Sequence, residues 1–197
     1  MEDRKSLSNQ ARTAATRAAL LAAARELLIH KGYAATSTPE IVAAAGITRG
    51  ALYHHFADKQ DLFRALLEEE ARAVAQDIEQ AAPDDLPARE ALVAGSLAYL
   101  RAMSVPGRTQ LLLVDGPAVL GSAAMFALDA RHAGRTLREG LRAAADAGLL
   151  PAAPVDALAA LLSAAFDRAA LEIQAGAEAD AFHAATIALI ERTVARA

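Results

Sequence analysis

The sequence predicts an all-α fold, and three observations support that prediction. Hydrophobic residues make up 54% of the 197-residue chain but aromatic residues only 4%, and the many alanines favour closely packed helices over a sheet. Apolar residues recur at intervals of three and four along most of the chain, which is the period of a helix with one buried face. Gly32, Gly46, Gly148 and Gly176 fall where these periodic segments end. We therefore expect a series of helices joined by short loops.

The first long helix is expected from Thr16 to Lys31, where leucines and alanines form a broad apolar stripe. Gly32 is placed to end it. The next segment, from Thr36 to Lys59, has the pattern of a helix-turn-helix, in which two short helices meet at a tight turn. The first helix would then carry this unit.

Local signals predict where the two short helices begin and end. Thr38 is placed to cap the first, Pro39 occupies its first position, and Gly46 can end it in the left-handed conformation. Thr48 is placed to cap the second, which we expect at Arg49–Phe56.

The second short helix has an apolar face and a polar face. Leu52 and Phe56 can point toward the first short helix. The outward positions are Arg49, Gly50, Tyr53 and His54. Arginine can bond a guanine edge through two atoms, glycine lets a DNA backbone approach closely, and tyrosine and histidine can bond phosphates. Lys59, near the start of the following helix, could hold another phosphate.

The spacing of these residues resembles the N-terminal domain of the TetR family of bacterial transcriptional regulators. The matching positions are Gly32, Tyr33, Thr36, Ile41, Ala45, Gly46, Ile47, Thr48, Gly50, Leu52, Tyr53, His55, Phe56, Lys59, Leu62 and Phe63. Leu28 departs from the pattern, where phenylalanine is common, and so does Ala51, where a hydroxyl residue is common. The second departure could remove one phosphate or base contact. The resemblance gives these candidate DNA contacts: Thr36, Thr38, Thr48, Arg49, Gly50, Tyr53, His54, His55 and Lys59.

We expect two domains, a helix-turn-helix head of residues 1–60 and a helical body of residues 61–197. The formal net charge is −4, but the head carries eight Lys or Arg against five acids, whereas the body carries 12 against 19. A basic head on an acidic body fits a protein that contacts double-stranded DNA at one end.

The helices expected after the head span about 59–80, 88–103, 108–114, 116–132, 136–147, 155–175 and 179–196. The run Leu111–Val114 could equally be a buried strand, but we favour a helix because no other segment offers it a strand partner. Asp115 is placed to cap the helix that follows. The acidic run Glu68–Glu70 is interpreted as a solvated helix face.

The last two helices have wide apolar faces and many alanines. They could belong to an internal core or form a four-helix bundle with a second subunit, and the resemblance favours a homodimer. Two heads related by a twofold axis would bind a palindromic operator, with half-sites separated by about 34 Å or more. The expected function is therefore a ligand-responsive transcriptional repressor.

The resemblance also implies a small-molecule effector pocket in the body, whose occupation changes the separation of the two heads. Methionines there favour an adaptable, apolar site. Candidate lining residues are Leu97, Leu100, Met103, Leu111, Val114, Met125, Phe126 and Phe166, with Tyr99, Gln110 and His132 as polar contacts.

An enzyme is the alternative of a different class. Asp115, Asp129 and His132 could act as acid and base groups, but no nucleophile or nucleotide-binding loop accompanies them in a recognisable spacing. A helical partner-binding protein that no longer reads DNA is a third possibility. We expect no cofactor and no metal site, because the chain has no cysteine and adjacent His54 and His55 cannot share one helix face. No apolar run approaches the length of a membrane span, so the cytoplasm is the expected compartment.

Overall fold

The computed structural model describes residues 2–150 and 154–194, with side chains from residue 10 onward. Its helices are α1 (Glu2–Ala35), α2 (Thr38–Ala45), α3 (Arg49–His55), α4 (Lys59–Ala81), α5 (Ala88–Met103), α6 (Gly116–Leu120), α7 (Ser122–Arg131), α8 (Ala133–Asp146), α9 (Val155–Gln174) and α10 (Ala179–Thr193), with a π-helical segment at Gln110–Asp115. The described residues contain no strand, so the all-α prediction is confirmed. None of the described helices is long and apolar enough to cross a membrane.

The helix-turn-helix forms where expected, with one different cap. Ser37, not Thr38, caps α2: its hydroxyl accepts from the amide of Glu40, and the Glu40 carboxylate accepts from the Ser37 amide at 2.9 Å. This reciprocal arrangement satisfies two free donors, which is why the helix begins one residue early. Gly46 is left-handed (φ 66°), and the Thr48 hydroxyl caps α3 by accepting from the Ala51 amide at 3.2 Å, as predicted.

The first helix is longer than expected, because its backbone is already helical at Glu2 rather than at Thr16. Gly32, however, interrupts the helix where predicted. Its φ of 78° and ψ of 166° lie outside the helical region, so the chain changes direction there and leads into α2.

One hydrophobic core runs through both the head and the body. Leu20 and Leu28 of α1 belong to the same buried cluster as Leu67 of α4 and Leu100 of α5. Phe63, at the start of α4, is fully buried, and its ring lies 4.9 Å from that of Tyr33 in the head. The first turns of α4 therefore belong to the head's packing as well as to the body.

The middle of the body differs from the prediction in two places. Asp115 does not cap α6 with its side chain; it accepts a hydrogen bond from Gln110 at 2.8 Å instead. The helix expected over about 116–132 is broken at Gly121, where φ is 84°, so α6 and α7 are separate. The run that could have been a strand is helical, although it has π rather than α geometry.

The acidic run of α4 is not a solvated face. Glu70 is only 7% exposed and accepts from Arg25 of α1 and from Arg108, both at 2.8 Å. Glu69 pairs with Arg17 of α1 at 2.6 Å. Glu68 contacts the other end of the body, at His132 and Arg131. Because the chain folds back along both sides of α4, each of the three carboxylates meets a different set of partners.

The last two helices leave a second apolar surface outside the core. Leu162, Phe166 and Ile190 are buried, but other apolar side chains of α9 and α10 face solvent. We call these the outer face: Ala157, Ala160, Leu161, Ala164, Ala165, Ala181, Ala184, Ala185 and Leu189. Leu161 is 71% exposed, which is unusual for a leucine in the middle of a long helix.

Candidate nucleic-acid interface and ligand cavity

The outward surface of α3 carries the side chains expected to read DNA. Arg49, Gly50, Tyr53 and His54 are all exposed. The Arg49 guanidinium carbon lies 5.5 Å from the centre of the Tyr53 ring, so the two side chains form one surface. Hydrogen bonding to Thr38 and to Arg49 lowers the pKa of the Tyr53 hydroxyl. α2 thus helps to orient the tyrosine that α3 presents.

Gly50 has no role in packing within the described residues. A Cβ built at this position would meet no atom within 4 Å, and the backbone does not need the left-handed region. The fold would accept alanine here. A glycine that the fold does not need suits a surface to which another molecule's backbone approaches closely.

Three of the predicted DNA contacts are engaged inside the head. Thr36 is only 2% exposed, and its hydroxyl donates to the Gly32 carbonyl at 2.9 Å, so its side chain holds the turn rather than facing outward. The Lys59 ammonium donates to the carbonyls of Tyr33 and Thr36 at 2.8 and 2.9 Å. Burial, and then the nearby His54 and Arg17, lower the pKa of His55, which favours its neutral form.

The other two candidates lie beside the α3 surface. Thr48 is exposed, and its hydroxyl is the cap of α3. Thr38 is half-buried and is a hydrogen-bond partner of Tyr53.

Lys31, a residue that the sequence reasoning missed, joins the end of α1 to α2 through an ion pair with Glu40 at 2.6 Å. Hydrogen bonds from Lys31 and Ser37 lower the pKa of Glu40 to about 2.

The body contains two cavities that share part of a wall. Cavity A has a volume of about 620 Å³ and lies among α4, α5, α7, α8 and α9. Cavity B, of about 640 Å³, lies among α4, α5, α8 and α9. Tyr99, Asp129, Ala133 and Ser163 line both. Their sizes are in the range of small-molecule sites.

Six of the eleven predicted lining residues border a cavity. Cavity A is lined by Tyr99, Met103, Met125, Phe126 and His132, and cavity B by Tyr99 and Phe166. The remaining predicted residues line neither: Leu97, Leu100, Gln110, Leu111 and Val114. Leu100 and Leu111 are fully buried core residues, and the Gln110 amide is bonded to Asp115. Leu97 is half-buried, and Val114 faces solvent. Helical periodicity finds buried positions but does not show where packing is incomplete.

Comparison with known sequence families identifies both halves of the chain. A family described as "Bacterial regulatory proteins, tetR family" matches residues 20–66. A second, described as "Tetracyclin repressor-like, C-terminal domain", matches residues 89–196, which is more than half of the chain. The chain belongs to the TetR family.

Named relatives of this TetR-family chain share its head. This chain is 49% identical over 53 residues to the HTH-type transcriptional regulator AcrR of Shigella flexneri. It is 41% identical over 58 residues to the HTH-type transcriptional repressor BepR of Brucella suis. These matches cover 27% and 29% of this chain and 25% and 28% of the relatives, so the chain spans about a quarter of the length of these curated relatives.

The similarity to one solved structure extends over almost the whole chain. A TetR-family transcriptional regulator from Pectobacterium atrosepticum is 31% identical, with a TM-score of 0.71 over 92% of this chain and 93% of that one. The fold prediction and the resemblance to the family are therefore confirmed. That these relatives are named as regulators and repressors supports the prediction that this TetR-family chain is not an enzyme.

Two acidic residues of the TetR-family body were not predicted as cavity residues. Asp129 and Asp167 line cavity A, where burial raises the pKa of both carboxyl groups and brings that of Asp167 to about 6. Asp167 directly follows Phe166 in a long apolar helix, but adjacent residues of a helix point in different directions, so no signal along the chain marks it as a wall residue. No group of three or more His, Cys, Asp or Glu suited to a metal ion occurs in the part of the chain that the structure describes.

Proposed function

We propose that this TetR-family protein is a homodimeric transcriptional repressor that binds a palindromic DNA operator and is released from it by a small, apolar effector. The exposed surface of α3 is the observation on which the proposal depends. Arg49 and Tyr53 form one outward surface, and Gly50 is a glycine that internal packing does not require. We expect the protein in the cytoplasm, because its DNA target lies there.

The DNA contacts divide into base readers and phosphate binders. We propose that Arg49 reads a guanine edge, because its guanidinium is exposed beside Tyr53. Tyr53, His54 and Thr48 lie where their polar atoms can bond phosphates. The Lys59 ammonium group uses two of its three protons to bond the Tyr33 and Thr36 carbonyls. It can therefore donate one hydrogen bond to a phosphate without giving up either carbonyl.

The test is a selection of bound sequences from random duplex DNA, read at two salt concentrations. We expect a palindromic consensus whose affinity falls as salt rises. Arg49→Ala should relax the preference at one position of each half-site, with a loss of about 1 to 3 kcal/mol for the preferred base. Arg142→Ala removes the same charge from the exposed surface of the body and is the matched control. Failure of the wild-type protein to enrich any sequence would refute the repressor proposal.

The outer face of α9 and α10 supports the homodimer. It consists of alanines and leucines at helical spacing, and small residues allow two helix pairs to approach closely. Leu161→Glu should give monomers in sedimentation, because it places a charge at the centre of this face. Ala147→Glu, at an exposed position near the end of α8, should leave the dimer intact. A Leu161→Glu protein that remains dimeric would contradict the interface.

Cavity A supports the effector part of the proposal. Met103, Met125 and Phe126 give it an adaptable apolar wall, and His132 connects that wall to α4. Because α4 contacts α1 through Glu69 and Glu70, occupation of the cavity can reach the head through a single helix. A ligand would need to bind the two head arrangements with a difference of about 1 to 3 kcal/mol to act as an effector.

A further inference from the structure

Cavity A combines an apolar wall with two carboxylates. Met103, Met125 and Leu112 represent its apolar part, whereas Asp129 of α7 and Asp167 of α9 lie on facing helices. The two carboxylates are near enough that Asp129 raises the pKa of Asp167 by repulsion. The wall also contains Asp156 and Arg138, so acids outnumber arginines there, and a cavity of this size is suited to a ligand of particular charge.

The carboxylate of Asp129 is held in place by hydrogen bonds and by the space that Gly134 leaves for it. Its carboxylate accepts from the Gly134 amide at 3.1 Å and from the Ser163 hydroxyl at 3.3 Å. A Cβ at Gly134 would collide with the same carboxylate. The start of α8 therefore leaves room for a carboxylate at this point of the wall.

The Tyr99 hydroxyl determines the orientation of Asp167. It donates a hydrogen bond to one carboxylate oxygen of Asp167, and the Tyr99 ring packs 6.3 Å from that of Phe166. No further hydrogen bond is described for the second carboxylate oxygen within residues 10–150 and 154–194. Asp167 is thus oriented by one neutral donor.

The charged groups around cavity A partly compensate one of the two acids. Arg138 of α8 and His132 attract Asp129 through space and lower its pKa, although burial outweighs them, and His132 is also bonded to Glu68. Asp156, a third acid of the wall, pairs with Arg142 at 3.2 Å. Among the described residues, no basic side chain contributes to the pKa of Asp167. α4 and the π-helical segment add only apolar residues.

We propose that cavity A binds an organic cation with a bulky apolar body, whose positive charge lies between Asp129 and Asp167. This inference rests on the proposed effector function and names the chemical class of the effector. The methionines and Phe126, which is 73% exposed at the cavity wall, contact the apolar body.

Electrostatics support the choice of a cation over a neutral or anionic ligand. Burial makes the ionised forms of both carboxyl groups unfavourable. A cation would replace the lost hydration and reduce the repulsion between them, whereas an anion would add to it. A neutral apolar ligand would remove more water from the carboxylates without compensation.

The experiment compares two ions of nearly the same size and shape but opposite charge. Binding of tetraphenylphosphonium and tetraphenylborate to the full-length protein would be measured by calorimetry without DNA. We expect the cation to bind about tenfold or more tightly than the anion. Asp167→Asn and Asp129→Asn should each weaken cation binding about tenfold and leave anion binding unchanged or tighter, because each removes a negative charge from the wall. Asp146→Asn, an exposed position outside both cavities, is the charge-matched control.

The outcomes distinguish this inference from the proposed function. Equal or tighter binding of the borate, binding of neither ion, or a cation affinity that both Asp variants leave unchanged would overturn the cation site. Operator release by the phosphonium is measured separately. If the cation binds as expected but does not release DNA, the cation site is supported and the effector function fails. If no operator is found at all, the calorimetry still decides the inference.

Discussion

His132 Nε2 lies 2.6 Å from Glu68 Oε1, so the wall of cavity A is joined directly to α4. Burial raises the pKa of Glu68, but hydrogen bonds from Arg131 and His132 outweigh that effect, and the net pKa is lowered. The next two residues of α4, Glu69 and Glu70, pair with Arg17 and Arg25 of α1. Three consecutive carboxylates therefore connect the cavity to the helix that carries the head.

Glu68→Ala should uncouple the cavity from the head. We expect the operator affinity of the ligand-free protein to change little. The coupling free energy, which is the difference between the binding free energies of the phosphonium to free and to operator-bound protein, should shrink by about 0.5 to 2 kcal/mol. The two affinities would be measured by calorimetry. Glu90→Ala changes an exposed carboxylate of α5 that lines neither cavity and should leave the coupling intact. Unchanged coupling in Glu68→Ala would show that the signal takes another route.

Glu70→Gln should destabilise the protein far more than Glu69→Gln. The first change removes the close, largely buried carboxylate that Arg25 and Arg108 share, and leaves them only longer ion pairs with Glu26 at 3.7 Å and Asp77 at 3.6 Å, so we expect a cost of about 2 to 3 kcal/mol. The Glu69 pair with Arg17 is partly exposed, with 38% and 41% of the two side chains accessible, and should contribute at most about 1 kcal/mol. Urea unfolding of both variants measures the difference. Similar losses in the two would contradict the role assigned to the buried pair.

Gly50→Ala should separate DNA binding from stability. Because a Cβ has open space here, the free energy of unfolding should stay the same or rise by about 0.5 kcal/mol through better helix propensity. Operator affinity should fall about tenfold or more, because the added methyl group keeps the DNA backbone away. Thermal unfolding and a binding titration on the same preparation test both statements. Full affinity in Gly50→Ala would mean that no close approach occurs at this position.

Asp167 should make the protein less stable as pH rises. Burial and repulsion by Asp129 raise its pKa from 3.8 to about 6, although the Tyr99 hydroxyl partly opposes them. The folded state therefore holds this proton more tightly than the unfolded state, and the resulting stability is complete below about pH 4 and lost as pH rises through about 6.

The measurement is the difference in unfolding free energy between Asp167→Asn and the wild-type protein at several pH values. This difference should grow in favour of the variant by about 1 to 3 kcal/mol between about pH 4 and pH 7. Asp129, Tyr99 and Arg138 stay in place in both proteins, so their effects largely cancel. Asp146→Asn should show a flat difference, and a flat difference for Asp167→Asn would contradict the raised pKa.

The head was more predictable from sequence than the body because local signals specify it. Gly46 and Thr48 act through their own backbone and nearest neighbours, so their roles could be inferred from the chain alone. The cap of α2 was assigned one residue late, because both Ser37 and Thr38 are good capping residues and only the contact with Glu40 distinguishes them.

The body depends on contacts between segments that are distant in the sequence. Glu70 looked like a solvated residue because its partners, Arg25 and Arg108, lie 45 and 38 residues away. The same reason explains the cavity residues. Asp167 becomes a wall residue only when α5 brings Tyr99 against α9. The periodicity of a single helix reveals neither the distant partners of Glu70 nor the contact between Tyr99 and Asp167.

The shared core of head and body has a consequence for exchanging DNA specificities. Leu62, Phe63 and Leu67 of α4 are fully buried in the same cluster as the leucines of α1. A chimaera cut at residue 60 would give the transplanted head a foreign set of these side chains. A donor segment that continues through Ala71 would keep Phe63 on Tyr33 and both α1 arginines on their own glutamates. We therefore expect the exchangeable module in this protein to end within α4, one third of the way along the chain, rather than at the loop before it.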